Sequence, residues 1–143
     1  MHSSQKGDLG VSRVIHEALK LGLSISIPFS ENQRYDLIID RNGTLERVQV
    51  KTTSSGEVLK VVCESKAERC NYRYTQDDFE WLVTYDLTTD QCYYIPSSML
   101  GEGRRSIQLR VAPPKNNQLK GILWAKDFMS WHAREDSNLR PSV

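Results

Sequence analysis

The chain is poor in the residues that build metal clusters. Its 143 residues include three cysteines and three histidines. Cys63, Cys70 and Cys92 form an odd set without Cys-x-x-Cys spacing, and His2, His16 and His132 fall near none of them, which argues against a structural zinc site. Long apolar runs are also missing, and no basic, apolar and small-residue signal opens the chain. A cytoplasmic protein with reduced thiols and no membrane partner is therefore expected. Net charge is nearly absent, at +1, so the sum of charges does not announce nucleic acid, although Lys and Arg can still gather on one face. Internal repeats and low-complexity segments are lacking as well. What remains, 38% hydrophobic and 26% charged residues, describes an ordinary globular chain, long enough to bury a core without metal or disulfide staples. A single domain over 1–132 is expected, with 133–143 as a C-terminal tail without fixed structure.

The most informative stretch is Tyr35-Asp36-Leu37-Ile38-Ile39-Asp40, which returns after Asn42-Gly43 through Val48-Gln49-Val50-Lys51. Asn-Gly tolerates the positive φ of a type I′ turn and predicts a hairpin. Strand alternation puts Val48 and Val50 on one face and Arg47, Gln49 and Lys51 on the other. In the first strand Leu37 and Ile39 share the core face, leaving Asp36, Ile38 and Asp40 on the second. Magnesium takes oxygen ligands in octahedral geometry and keeps several waters. The Asp36 carboxylate, the Gln49 amide oxygen and the Val50 backbone carbonyl can hold it together with a substrate phosphate. Lys51 beside the ion would stabilise charge developing on the phosphate and orient a water. Taken alone, such a hairpin is also common on half-exposed antiparallel sheets.

Along the rest of the chain, Val11, Val14, Ile15, Ala18 and Leu19 predict an amphipathic helix from about Gly7 to Leu21, with Asp8 at its N-terminal end and Gly22 as its stop. Leu23, Ile25 and Ile27 alternate with serines before Pro28 and predict a short strand. A further strand is expected from Val58 to Cys63, and a loop or short helix over 64–78. Phe79 to Tyr85 and Gln91 to Ile95 predict a second hairpin, linked by Leu87-Thr88-Thr89-Asp90. Ser106 to Val111 is a further candidate strand, 113–117 a loop, and Ala125 to Trp131 a short terminal helix. The sum is an α/β or α+β fold with a mixed sheet.

Four stretches carry a resemblance: Gln5-Lys6-Gly7-Asp8-Leu9-Gly10, Arg34-Tyr35-Asp36, Val48-Gln49-Val50-Lys51-Thr52-Thr53, and Tyr74-Thr75-Gln76-Asp77-Asp78-Phe79 leading to Tyr93-Tyr94-Ile95-Pro96. In order and spacing they resemble the PD-(D/E)xK nuclease superfamily, and within it the homing endonucleases encoded by group I introns, related to archaeal Holliday-junction resolvases. The resemblance implies a restriction-endonuclease-like core, a mixed sheet flanked by helices. It matches Asp36 to the metal-binding Asp, Gln49 to the position usually held by Asp or Glu, and Lys51 to the catalytic Lys. Gln49 departs from the common pattern but brings an amide oxygen. A second departure is Val11, where the pattern Lys-Gly-x-x-x-Glu would place a helix carboxylate. Asp8, three residues earlier on nearly the same helical face, is the substitute ligand or else the helix N-cap.

The function this implies is that of a sequence-specific double-stranded DNA endonuclease of a mobile group I intron. It would hydrolyse phosphodiesters with magnesium, for which manganese can substitute. The alternatives are a Holliday-junction-type nuclease cutting by structure and a DNA-binding protein on the same fold that has lost cleavage. Arg34, Arg41, Arg47 and Lys60 are the nearby basic candidates for DNA contact. Arg104 and Arg105 open a basic C-terminal third that also holds Arg110, Lys115, Lys120 and Lys126, and phosphate contacts of this kind make binding salt-dependent. A small domain reads few base pairs, so a long site calls for a symmetric homo-oligomer, a dimer or tetramer. Finally, Asp136-Ser137-Asn138-Leu139 is compatible with codons whose complement reads GGTTCGAATC, a sequence typical of the T arm of transfer RNA. The nucleotide sequence of the gene tests that reading.

Overall fold

The computed structural model describes residues 1–66, 71–116 and 120–131. Its first element is a helix, α1 (Ser3–Lys20), which buries Gly10, Val14 and Ala18 along one stripe at four-residue spacing. The helix stops where Gly22 takes φ 79° and the Leu23 N–H reaches back to the Ala18 carbonyl at 3.1 Å, a left-handed C-terminal cap. It starts four residues before the expected Gly7, with the His2 N–H bonded to Gln5 Oε1 at 3.0 Å. Asp8 is thus an exposed residue inside the helix and not its N-cap.

Nine strands follow among the described residues: β1 (Ser24–Ser26), β2 (Leu37–Arg41), β3 (Thr44–Thr53), β4 (Val58–Val62), β5 (Glu64–Lys66), β6 (Asn71–Arg73), β7 (Trp81–Asp86), β8 (Gln91–Pro96) and β9 (Ser106–Arg110). Five of them form a mixed sheet in the order β1-β2-β3-β7-β8, antiparallel throughout except for the parallel β3–β7 pair. The β2–β3 hairpin closes as expected, with Asn42 at φ 54° and Gly43 at φ 90°, the signs a type I′ turn requires.

Alternation along this sheet makes two cores. Leu37, Ile39, Val48, Val50, Trp81 and Val83 pack on one side with Val14 and Ala18 of α1. Leu82, Tyr93 and Ile95 face the other side, which carries Gln49 and Lys51 and is covered by Leu59, Val61, Ile107 and Leu109. Those four belong to the separate β4–β9 ribbon, part of which lies in the long crossover from β3 to β7. The polar face of the hairpin is therefore half roofed over.

Two expectations change. Residues 64–66 and 71–73 pair as the β5–β6 ribbon where a loop or short helix was expected; too short and polar for a periodic signal, they are held by the partner strand. The terminal helix shrinks to a 3-10 turn, Ala125–Phe128, with Phe128 and Trp131 buried. Among the described residues α1 is the only α-helix, so a β-ribbon and 3-10 turns stand on the face where the resemblance implied a second helix. No described helix is long and apolar enough to cross a membrane. The tail 133–143 lies outside the described residues.

Candidate active site

The β2–β3 ladder begins at Leu37 opposite Val48. Beyond that point β3 continues alone on this edge, and Val50 presents an N–H and a carbonyl that β2 does not meet. Asp36, the residue just before β2, fills the gap: its N–H bonds to the Val48 carbonyl at 2.8 Å, and its Oδ2 accepts the Val50 N–H at 2.9 Å. The Gln49 side-chain nitrogen lies 3.4 Å from the Val50 carbonyl. Amide oxygen and nitrogen are interchangeable by a flip of the group, so the same position can offer an oxygen beside that carbonyl. Asp36, Gln49 and Val50 are thus brought to one place by a ladder that starts one residue late.

Lys51 lies on the Gln49 face, in the partly roofed layer. Its Nζ donates to the Glu64 carbonyl of β5 at 3.2 Å and sits 5.2 Å from the centre of the Tyr74 ring. Burial lowers the Lys51 pKa, against the pull of Asp36 and Cys63. Burial likewise raises the Asp36 pKa, against the Val50 N–H and the Lys51 charge. Desolvation outweighs attraction for both partners. Tyr74, 3% exposed, is pushed up to about 12 chiefly by burial; it opens one of the four stretches that carry the resemblance, but nothing local in the sequence marks it as a neighbour of Lys51. Cys63 beside it is buried, and burial lifts its thiol to about 11.

The candidate donors are one carboxylate, one amide and one backbone carbonyl, all hard oxygens. They fit a divalent cation of the magnesium type that keeps much of its water shell. Among the described residues no three His, Cys, Asp or Glu side chains gather to hold a metal, so a thiolate or imidazole site is not offered. On α1, Gly10 lies close against Val50 and Thr52 of β3. Arg13 bonds Asp90 in the turn after β7, which points that flank of the helix toward β7–β8. At 100° per residue Val11 and Asp8 fall on the opposite flank, toward β1–β2. Val11 is half buried against the helix-side core, and Asp8 is exposed.

The basic candidates separate. Arg34 pairs with Asp78 at 2.8 Å and stacks 4.1 Å from the Tyr72 ring centre. Arg47 pairs with Glu80 at 2.6 Å, and their shared hydrogen bonds lower the Glu80 pKa. Arg41 pairs with Glu46 at 2.9 Å and faces Trp131, which puts it on the helix side of the sheet, away from Lys51. Arg105 reaches Glu64 at 3.6 Å, and Arg104 donates to the Ser106 and Met99 carbonyls. Lys60 borders a recess of about 320 Å³ that Lys51 also lines.

In fold, the chain is similar to a bacterial homing endonuclease, I-Ssp6803I, with a TM-score of 0.76 at 22% identity, covering 99% of this chain and 100% of that one. A second solved structure, MepB, overlaps at a TM-score of 0.43 and 18% identity, over 76% of this chain and 85% of that one. Comparison with curated protein sequences brings out no match. The family match extends over residues 1–131, all four stretches quoted from the sequence included, and by it the chain belongs to the PD-(D/E)XK endonucleases.

Proposed function

We propose that the protein is a magnesium-dependent endonuclease that cuts a specific double-stranded DNA site, of the homing type carried by mobile group I introns. The reading rests on the gathering of Asp36, Gln49, the Val50 carbonyl and Lys51 where β2 gives way along β3. Asp36, Gln49 and Val50 would hold the metal, whose contribution when bound is Lewis acidity toward the phosphate and the departing oxygen.

The residues of the chain set the rest of the reaction. A water attacks phosphorus, the P–O3′ bond breaks, and the products are a 3′-hydroxyl and a 5′-phosphate. Lys51, anchored on the Glu64 carbonyl, presents its ammonium to the phosphate oxygens as negative charge grows on them. Its anchoring by a backbone oxygen and an aromatic face fixes that charge before the substrate arrives, so little reorganisation is left for the reaction itself. Cutting both strands of a long site calls for paired centres, and a symmetric dimer or tetramer supplies them.

The test is cleavage of long duplexes and of four-way junctions by the intact protein, with magnesium and with chelator. Magnesium-dependent cutting at one duplex sequence is expected. Cutting of junctions regardless of sequence would assign a resolvase activity instead, and tight duplex binding without cutting would assign a DNA-binding protein that has lost catalysis.

A further inference from the structure

The β4–β9 ribbon stands outside the main sheet and pairs Val58 with Arg110, Lys60 with Gln108 and Val62 with Ser106. Leu59, Val61, Ile107 and Leu109 are buried beneath it, so alternation turns those six side chains outward. At the centre of the outer face Lys60 and Gln108 sit opposite each other, both exposed. Among the described residues no ion pair or hydrogen bond engages either side chain. In this Lys60 differs from Arg34, Arg47 and Arg105, each of which already has a carboxylate partner. The outer face carries no acid. It also runs into the candidate centre, because Val58, Lys60 and Val62 line the same recess of about 320 Å³ as Lys51 and Thr53.

We infer that the outer face of the β4–β9 ribbon enters the DNA major groove and reads base pairs next to the bond that is cut. The inference rests on the nuclease reading for the position of that bond. A two-stranded ribbon fits a major groove about 12 Å wide. Outward side chains on a strand recur every ~6.8 Å, which matches two base-pair steps of ~3.4 Å. The Lys60–Gln108 rung therefore meets one or two base pairs, and the Val62–Ser106 rung meets the step two further on. The chemistry suits base edges: an ammonium for guanine O6 and N7, an amide for adenine N6 and N7, and at Val62, 44% exposed, methyl groups for the thymine methyl.

The experiment selects bound duplexes from a pool with randomised positions, using the full chain without divalent metal, followed by sequencing. Gln108→Ala is expected to flatten the base preference at one or two adjacent positions by about tenfold or more. Lys60→Ala is expected to flatten the neighbouring position, and Gln108→Lys to move the preferred base from adenine to guanine, a gain that misfolding cannot produce. Preferences unchanged in all three variants overturn the inference. So does a uniform loss of affinity at every sequence with the salt slope reduced by about one, the signature of a phosphate contact. Failure of the wild type to select any sequence overturns it as well. Cleavage of the selected duplex in magnesium is scored separately: altered preferences with no cutting by wild type would keep the ribbon assignment and sink the nuclease, and cutting with unaltered preferences would do the reverse.

Discussion

The Asp36 carboxylate accepts one backbone N–H and faces one ammonium, and still its pKa rises above the ordinary 3.8 because burial dominates. Between those two values the folded state holds the extra proton, so stability falls as pH rises through that window. Above it the ionised group costs stability. Asp36→Asn removes the charge and keeps an oxygen for the Val50 N–H, so in metal-free buffer it is expected to melt higher than wild type at pH 7. The advantage should vanish below pH 3.8, where both side chains are neutral; thermal melts at the two pH values check this, and a lower Tm at pH 7 would contradict it. The site also has a single carboxylate, and Val11 lies on the helix flank nearest it. Val11→Glu is expected to lower the magnesium concentration for half-maximal cleavage, whereas Val11→Gln should not; a metal titration of cleavage rate compares them. At this scale the sequence was informative where chemistry and alternation coincide. Asp36, Gln49 and Lys51 could be placed on one face from the period of two, but the Glu64 carbonyl and the Tyr74 ring, which hold Lys51, lie in β5 and just after β6, where no periodicity marks them.

Between elements, α1 seats closely on β3 at Gly10. A Cβ on Gly10 would run into Thr52 Oγ1 and crowd Val50, while Thr52 Oγ1 donates to the Lys6 carbonyl at 2.7 Å. The glycine is there for proximity, since its helical backbone demands nothing special. Gly→Ala inside a free helix gains about 1 kcal/mol; here Gly10→Ala is expected to lose about 1–3 kcal/mol through overpacking, read as a lower urea midpoint at unchanged slope. A gain in stability would show that α1 does not seat where described. The hairpin, its turn and the β7–β8 pair were legible because turn chemistry and alternation agree. The parallel β3–β7 pairing and the β4–β9 ribbon were not, because such partners lie far apart in sequence and nothing local names them. The early start of α1 was hidden too, since Ser3 and Ser4 carry no apolar period.

For the whole molecule the net charge is +1, and Arg34, Arg47 and Arg105 are already paired with carboxylates. To hold a phosphate they must leave a carboxylate, which weakens binding and makes it less salt-sensitive than the number of cations suggests. Glu80→Gln frees Arg47 and is expected to raise duplex affinity at low salt and to steepen the slope of log K against log salt by about 0.9, one more phosphate contact. An unchanged slope would place Arg47 off the DNA. Hydrolysis of DNA at the polar edge of β3 is tested by single-turnover cleavage of the preferred duplex in magnesium by Lys51→Ala, measured with its duplex affinity. A rate at least about 100-fold below wild type, with affinity retained, is the predicted result. Cleavage by Lys51→Ala at the wild-type rate would contradict the account.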